Sequence, residues 1–202
     1  MSTAGVVVFD LGKVLLDFDY GIAARRIAAR GRLTPPQALR LIDQSPLLFA
    51  FETGTLTAPE FFQAVRDASG FLGCEEEFND LFADIFTPIP EMVDLHQKLR
   101  QIGVPTFVFS NTNELAVRHI RRLFPFFSEF DGHVLSYEEG SMKPDSPIYE
   151  AVERLTQLSG DRILYIDDRL ENITAGAARR WRTIHHIKPR DTTAAIHEAG
   201  LL

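Results

Sequence analysis

Residues 6–9 read Val-Val-Val-Phe and run directly into Asp10. Four consecutive apolar residues, three of them β-branched, suit a strand buried on both faces of a parallel sheet, since a half-exposed strand would alternate. In open α/β sheets, ligands sit beyond the carboxyl ends of the strands, so Asp10 falls where chemistry is carried out. Gly12, two residues on, lets the main chain approach whatever Asp10 holds. A single step of this kind is more often a solvated carboxylate and a turn. Here the construction recurs twice downstream.

The second occurrence is Val104–Phe109, ending in Ser110-Asn111-Thr112-Asn113; the third is Ile163–Ile166, ending in Asp167-Asp168. Between and after them the pattern alternates with helices. One spans about Glu91–Ile102, the next ends before Pro125, another is capped by Ser146 and opened by Pro147, and the last is capped by Asp191 and stopped at Gly200. Strand–helix alternation predicts an α/β fold, a Rossmann-like parallel sheet with helices on both faces and right-handed crossovers. Residues 20–86 break the alternation. They carry helical periodicity without a convincing strand, as in Phe78, Leu81, Phe82, Ile85 and Phe86, which share one helix face. We therefore expect an inserted helical bundle over 18–87, with 1–17 and 88–202 forming the sheet domain.

Composition narrows the partners. A net charge of −7 argues against nucleic acid or an anionic membrane, either of which needs a basic face. Cys74 is the only cysteine, which removes disulfide frameworks and cysteine metal cages. Val6–Phe9 is too short for a signal peptide or membrane span, so a cytoplasmic setting is expected.

Parallel strands bring Asp10, Ser110 and Asp167-Asp168 to one sheet edge, with Lys143 in a loop fixed by Pro144. Carboxylates crowded there repel unless a cation neutralises them, and Mg2+ does so with one or two carboxylates, a main-chain oxygen and retained waters. A lysine and a serine hydroxyl beside such a metal are groups that hold phosphate, and the helix opening after Ser110 adds amides at a positive dipole end. Asp10 is then free to attack phosphorus, giving an aspartyl-phosphate that water hydrolyses.

Asp10-x-Gly12, Phe109-Ser110-Asn111-Thr112-Asn113, Gly140–Asp145 and Tyr165-Ile166-Asp167-Asp168, in that order, resemble the motifs of the haloacid dehalogenase (HAD) superfamily. The resemblance spans essentially the whole chain, places residues 18–87 where that family carries its cap, and is nearest to its branch of small bacterial sugar-phosphate phosphatases. It implies that Asp10 is the nucleophile, that Ser110 and Asn111 hold phosphoryl oxygens, and that Lys143 bridges phosphate and Asp10. It also implies that Asp168, Asp10 and the Gly12 carbonyl bind Mg2+, with Asp167 either a further ligand or a partner behind them. The substrate is then a small phosphorylated molecule and the protein a monomer or homodimer.

One position departs from the pattern. Most phosphatases of the superfamily have Asp where this chain has Gly12, acting as general acid and base, a role worth about 10²–10⁴-fold. The sequence therefore predicts a preference for leaving groups that need little protonation. Asp17 or Asp19 would supply a substitute carboxylate or solvate the hinge; Lys13 either lowers the Asp10 pKa or faces solvent. The stretch Phe49–Gly54 either resembles the loop that reaches over the active site in this branch, with Phe49 and Glu52 setting substrate choice, or holds a core pair of phenylalanines and a turn. Arg169 either reaches substrate or pairs with an acid, while Arg25, Arg26, Arg30 and Arg32 read as a solvated helix face. Two alternatives share the motifs: phosphoryl transfer to a second hydroxyl, as in related mutases, and a catalytically weak relative binding a phospholigand or a protein.

Overall fold

The computed structural model describes residues 4–202. Five parallel strands form the main sheet: β1 (Val6–Phe9), β4 (Thr106–Ser110), β5 (Gly132–Leu135), β6 (Ile163–Asp167) and β7 (Arg182–His185), in the order β5-β4-β1-β6-β7. The first strand is central, its Val8 registered against Phe107 on one side and Tyr165 on the other. Its side chains split between two cores, as a strand's period of two requires. Val7 and Phe9 pack with α6 (Pro90–Gln101), α7 (Glu114–Leu123) and α11 (Pro189–Glu198), through Leu95, Leu99, Val117, Ile120 and Ile196. Val6 and Val8 pack with α9 (Ser146–Thr156) and α10 (Leu170–Ala178), through Ile148, Tyr149, Val152 and Ile173. That two-sided burial is why the strand reads as an unbroken apolar run.

Residues 20–83 hold five helices: α1 (Tyr20–Ala28), α2 (Pro35–Ile42), α3 (Pro46–Glu52), α4 (Ala58–Ser69) and α5 (Glu75–Ala83). They enclose a separate core in which Phe51 stacks on Phe61 at 4.4 Å and Phe78 stacks on Phe82 at 5.6 Å. Pro at the first turn of α2, α3 and α4 sets their starts, because a proline there loses no helical hydrogen bond. The helix-only reading of this stretch misses its edges. Residues 16–18 (β2) and 86–88 (β3) pair as an antiparallel ribbon joining the bundle to the sheet. Three-residue strands holding Asp17, Thr87 and Pro88 carry too little alternation to be read. Helix starts also shift: α9 is capped at Asp145 rather than Ser146, and α11 opens at Pro189 behind Lys188, with Asp191 inside its first turn. Among the described residues no helix is long and apolar enough to cross a membrane.

His96, on α6, lies fully inside the core, with Nε2 3.1 Å from Thr106 Oγ1 and its ring stacked 3.8 Å from Phe130. Burial, with Arg100 adding to it, pulls its pKa from 6.5 down to about 4. The folded protein holds this ring neutral, so below pH 6.5 the unfolded chain binds the extra proton. The stability it contributes is full above pH 6.5 and is lost as pH falls toward 4. Between pH 7 and 4.5 the loss from this residue is about 2 kcal/mol. Urea midpoints of wild type and His96→Phe at the two pH values test this: the variant shows the smaller acid-dependent drop, and equal drops overturn it.

Candidate active site

At the carboxyl edge of the sheet, strand ends and one loop converge. Asp10, just past β1, donates its main-chain N–H to Ile166 O at 2.8 Å, and its Oδ1 accepts from Leu11 N at 2.7 Å. Lys143 reaches the same oxygen with Nζ at 2.8 Å and also donates to Asp167 Oδ2 at 2.7 Å and Phe109 O at 2.8 Å. All three ammonium hydrogens are thereby used, and the side chain is only 2 % exposed. The loop carrying Lys143 is held by Asn111, whose amide nitrogen donates to Lys143 O at 2.9 Å while its oxygen accepts from Lys143 N at 2.7 Å. The side-chain amide of Asn111 thus clamps the lysine loop, leaving its main chain for other work. The Ser110 hydroxyl is buried beside it.

The paired aspartates part company. Asp167, fully buried, accepts from Lys143, the Tyr165 hydroxyl, Arg169 N and Asn172 Nδ2. Asp168 is half-buried and lines the cavity in front. Carboxylate oxygens of Asp10, Asp167 and Asp168 lie within 4.8 Å of one another, with one ammonium among them. The electrostatics register that imbalance. Burial pushes the Asp10 carboxyl up to about 8, Lys143 pulling it down and Asp167 and Asp168 pushing it further. Burial and Asp167 also raise Asp168. Burial opposes the charge on Lys143, yet Asp10 and Asp167 together hold its pKa above the usual lysine value; Lys143 in turn holds Asp167 low against its own burial. Hard oxygen donors in excess of positive charge are the donor set that suits a divalent cation such as Mg2+.

A cavity of about 160 Å³ opens over Asp10, Lys143 and Asp168, and the bundle forms its far wall through Phe18, Tyr20, Asp43, Leu48, Phe49 and Glu52. The Phe49–Gly54 stretch resolves by residue: Phe51 is core, whereas Phe49, 45 % exposed, and Glu52 face the cavity. Burial pushes Glu52 up to about 7, Asp43 adding to the push and Arg169 and the Tyr20 hydroxyl opposing it. Arg169 lines the cavity too, while its Nε donates to Glu171 at 2.7 Å. Lys13 also lines the cavity, its ammonium paired with Asp17 and donating to Phe18 O at 2.8 Å. Asp19 caps α1, accepting from Gly21 N at 2.7 Å. Arg25, Arg26 and Arg30 pair with Asp19, Asp84 and Glu77 on the surface. His185 and His186 diverge, to Asp168 O at 2.9 Å and Thr192 Oγ1 at 2.7 Å. Cys74 is exposed at the start of α5.

The sequence alone assigns no role to Asn172 or Ser136, and shows Tyr165 only as a member of the Tyr165–Asp168 motif. Asn172 is a buried amide on the first turn of α10, and its spacing of five from Asp167 is the available signal. Ser136 ties the bundle to the sheet: its hydroxyl accepts from Thr112 N at 2.9 Å and lies 2.5 Å from Glu52 O, to which it donates.

Residues 5–178 match the family model described as haloacid dehalogenase-like hydrolase. Among curated proteins, the chain is 26 % identical over 179 residues to a D-ribitol-5-phosphate phosphatase of Bacteroides thetaiotaomicron, covering 84 % of this chain and 85 % of that one. It is 25 % identical over 179 residues to the sesquiterpene phosphatase astK of Aspergillus oryzae, covering 88 % and 87 %. Among solved structures, a HAD family enzyme of Bacteroides thetaiotaomicron, crystallised with magnesium and inorganic phosphate, superposes with a TM-score of 0.80 at 21 % identity, covering 90 % of this chain and 93 % of that one.

Proposed function

The chain belongs to the haloacid dehalogenase-like hydrolases, and from that premise we propose that it is a Mg2+-dependent phosphatase that cleaves a small phosphomonoester through an aspartyl-phosphate. The observation that carries this reading is the buried Lys143 bridging Asp10 and Asp167 beside Asp168, in a cluster with more carboxylate than ammonium charge. Asp10, Asp168 and the Gly12 carbonyl would hold Mg2+, which when bound neutralises the carboxylates and the incoming phosphoryl charge. Asp167, already accepting from four donors, fixes Lys143 rather than serving as a main metal ligand. The Ser110 hydroxyl and the main chain of Asn111 take phosphoryl oxygens, Lys143 turns the hydrogen it now gives Asp10 onto another, and Asp10, so released, attacks phosphorus in line with the ester oxygen.

A sugar-like alcohol suits the far wall, where Phe49 offers an apolar face and Asp43, Gln44 and Glu52 offer acceptors for hydroxyls. The curated relative named for a sugar-alcohol phosphate supports this reading. The bundle over residues 18–87 acts as a cap that closes over the substrate and excludes bulk water. Phosphate release from p-nitrophenyl phosphate tests the assignment: EDTA lowers turnover by about 10²-fold or more, and added Mg2+ restores it. A wild-type protein silent across a panel of phosphate esters overturns it in favour of a phospholigand-binding relative.

A further inference from the structure

An acid at position 12 would require the Phe18 ring to shift. A Cβ there would sit 2.8 Å from Phe18 Cε1. Asp17 is paired with Lys13 and accepts from Phe18 N at 2.9 Å, and Asp19 is committed to capping α1. Of the two readings of these residues, the contacts favour the one that keeps them at the hinge. On the cap side two carboxylates face the cavity over Asp10, namely Asp43 and Glu52. Only Glu52 of the two also lines a smaller recess with Gly12, Ser110, Asn111 and Thr112, so it borders both the cavity over Asp10 and the segment that carries Ser110.

Resting on the phosphatase reading above, we propose that Glu52 is the general acid and base of this enzyme, delivered from the cap instead of from the strand that carries Asp10. In the first step an Asp10 oxygen bonds to phosphorus as the bond from phosphorus to the ester oxygen breaks. The Glu52 proton passes to that oxygen and the alcohol leaves. In the second step a water oxygen bonds to phosphorus, its proton passes to the Glu52 carboxylate, and the bond from Asp10 to phosphorus breaks. Phosphate departs with both carboxyl groups back in their starting states.

The position of Glu52 is fixed by the core rather than by the rim of the cap. Its carbonyl accepts from Ser136 Oγ at 2.5 Å, and the same hydroxyl accepts Thr112 N at 2.9 Å, directly beside Ser110 and Asn111. Two residues on, Gly54 has φ +68° and packs against the Tyr137 carbonyl oxygen so closely that a Cβ would collide with it. Glycine there lets the chain press Glu52 down onto the sheet edge. The groups facing the carboxyl are Tyr20 from α1, Asp43 from the end of α2 and Arg169 from the loop after β6, and with burial they place it near neutrality. A carboxyl so placed is protonated often enough to donate and ionised often enough to accept.

Leaving-group dependence distinguishes this role from a structural one. The quantity to measure is kcat/KM, which reports the steps through departure of the alcohol, for p-nitrophenyl phosphate and for ethyl phosphate with wild type and Glu52→Gln. Gln keeps the shape of the protonated acid, so the variant folds with a Tm close to wild type. The expected result is a fall of about 10²–10³-fold for ethyl phosphate, whose alkoxide must be protonated, and of less than about tenfold for p-nitrophenyl phosphate. Glu52→Asp, with the acid withdrawn by one methylene, falls between. Equal losses on both esters, or no loss, overturn the assignment while leaving the phosphatase reading intact. A wild type inactive on both esters with Mg2+ overturns that reading itself.

Discussion

Asp10→Asn lowers phosphate release by about 10⁴-fold or more while leaving the protein folded, and without Mg2+ its Tm is equal to or higher than that of wild type. On the proposed mechanism the activity loss follows from removing the attacking oxygen, because nucleophile deletions leave only binding and electrostatic residues to accelerate the reaction. The stability result follows from the charge count. The Asp10 carboxylate is buried beside Asp167 and Asp168, and its pKa is raised to about 8, so its ionised form opposes folding. The amide is isosteric and neutral. Lys143 keeps Asp167 at 2.7 Å and Phe109 O at 2.8 Å. Calorimetry in EDTA beside the phosphate assay separates the two effects: a Tm several degrees below wild type would mean that Asp10 is chiefly a structural anchor, and retained turnover would remove it as nucleophile.

The sheet domain and the convergence of its strand ends were legible because the determinants are local. Val6–Phe9 and Ile163–Ile166 are buried on both faces, so they appear as apolar runs, and each ends in a carboxylate. Parallel pairing then forces the polar ends to one edge. The division of labour between Asp167 and Asp168 was not legible, because it depends on partners the strand does not reveal. The Tyr165 hydroxyl, two residues back on the same strand, and Asn172, one turn into the next helix, both turn onto Asp167, leaving Asp168 toward the cavity. Glu52 was visible only as part of a loop near the site. Its placement arises from Ser136, 84 positions away, and from the close approach at Gly54. The ribbon of residues 16–18 with 86–88 escaped for the same reason: its register links segments about seventy residues apart, and neither carries enough alternation to announce a strand.

Lys143→Met produces the largest loss of stability expected for a single substitution at this site. The ammonium is the cation that Asp10 and Asp167 share, and its removal leaves two carboxylates that the fold has taken out of water, with Asp168 adjacent. Breaking a buried charge arrangement in this way costs about 3–5 kcal/mol, or about 10 °C in Tm for a chain of this size. The exposed Lys98→Met on α6, as control, shifts stability by less than about 0.5 kcal/mol. Mg2+ raises the Tm of Lys143→Met more than that of wild type, since the vacated charge makes the carboxylates a stronger cation site. On the proposed assignment turnover does not return with it, because a metal held by Asp168 would not take the place of Lys143 against the phosphoryl oxygens. The coupling with Asp10 supplies the decisive comparison. If repulsion among uncompensated carboxylates is the cause, Asp10→Asn added to Lys143→Met recovers part of the lost Tm in EDTA, so the two effects fail to add. Strict additivity would instead assign the loss to packing of the lysine stem against Phe109 and Tyr165, whose ring centroids lie 4.9 and 5.8 Å from its nitrogen.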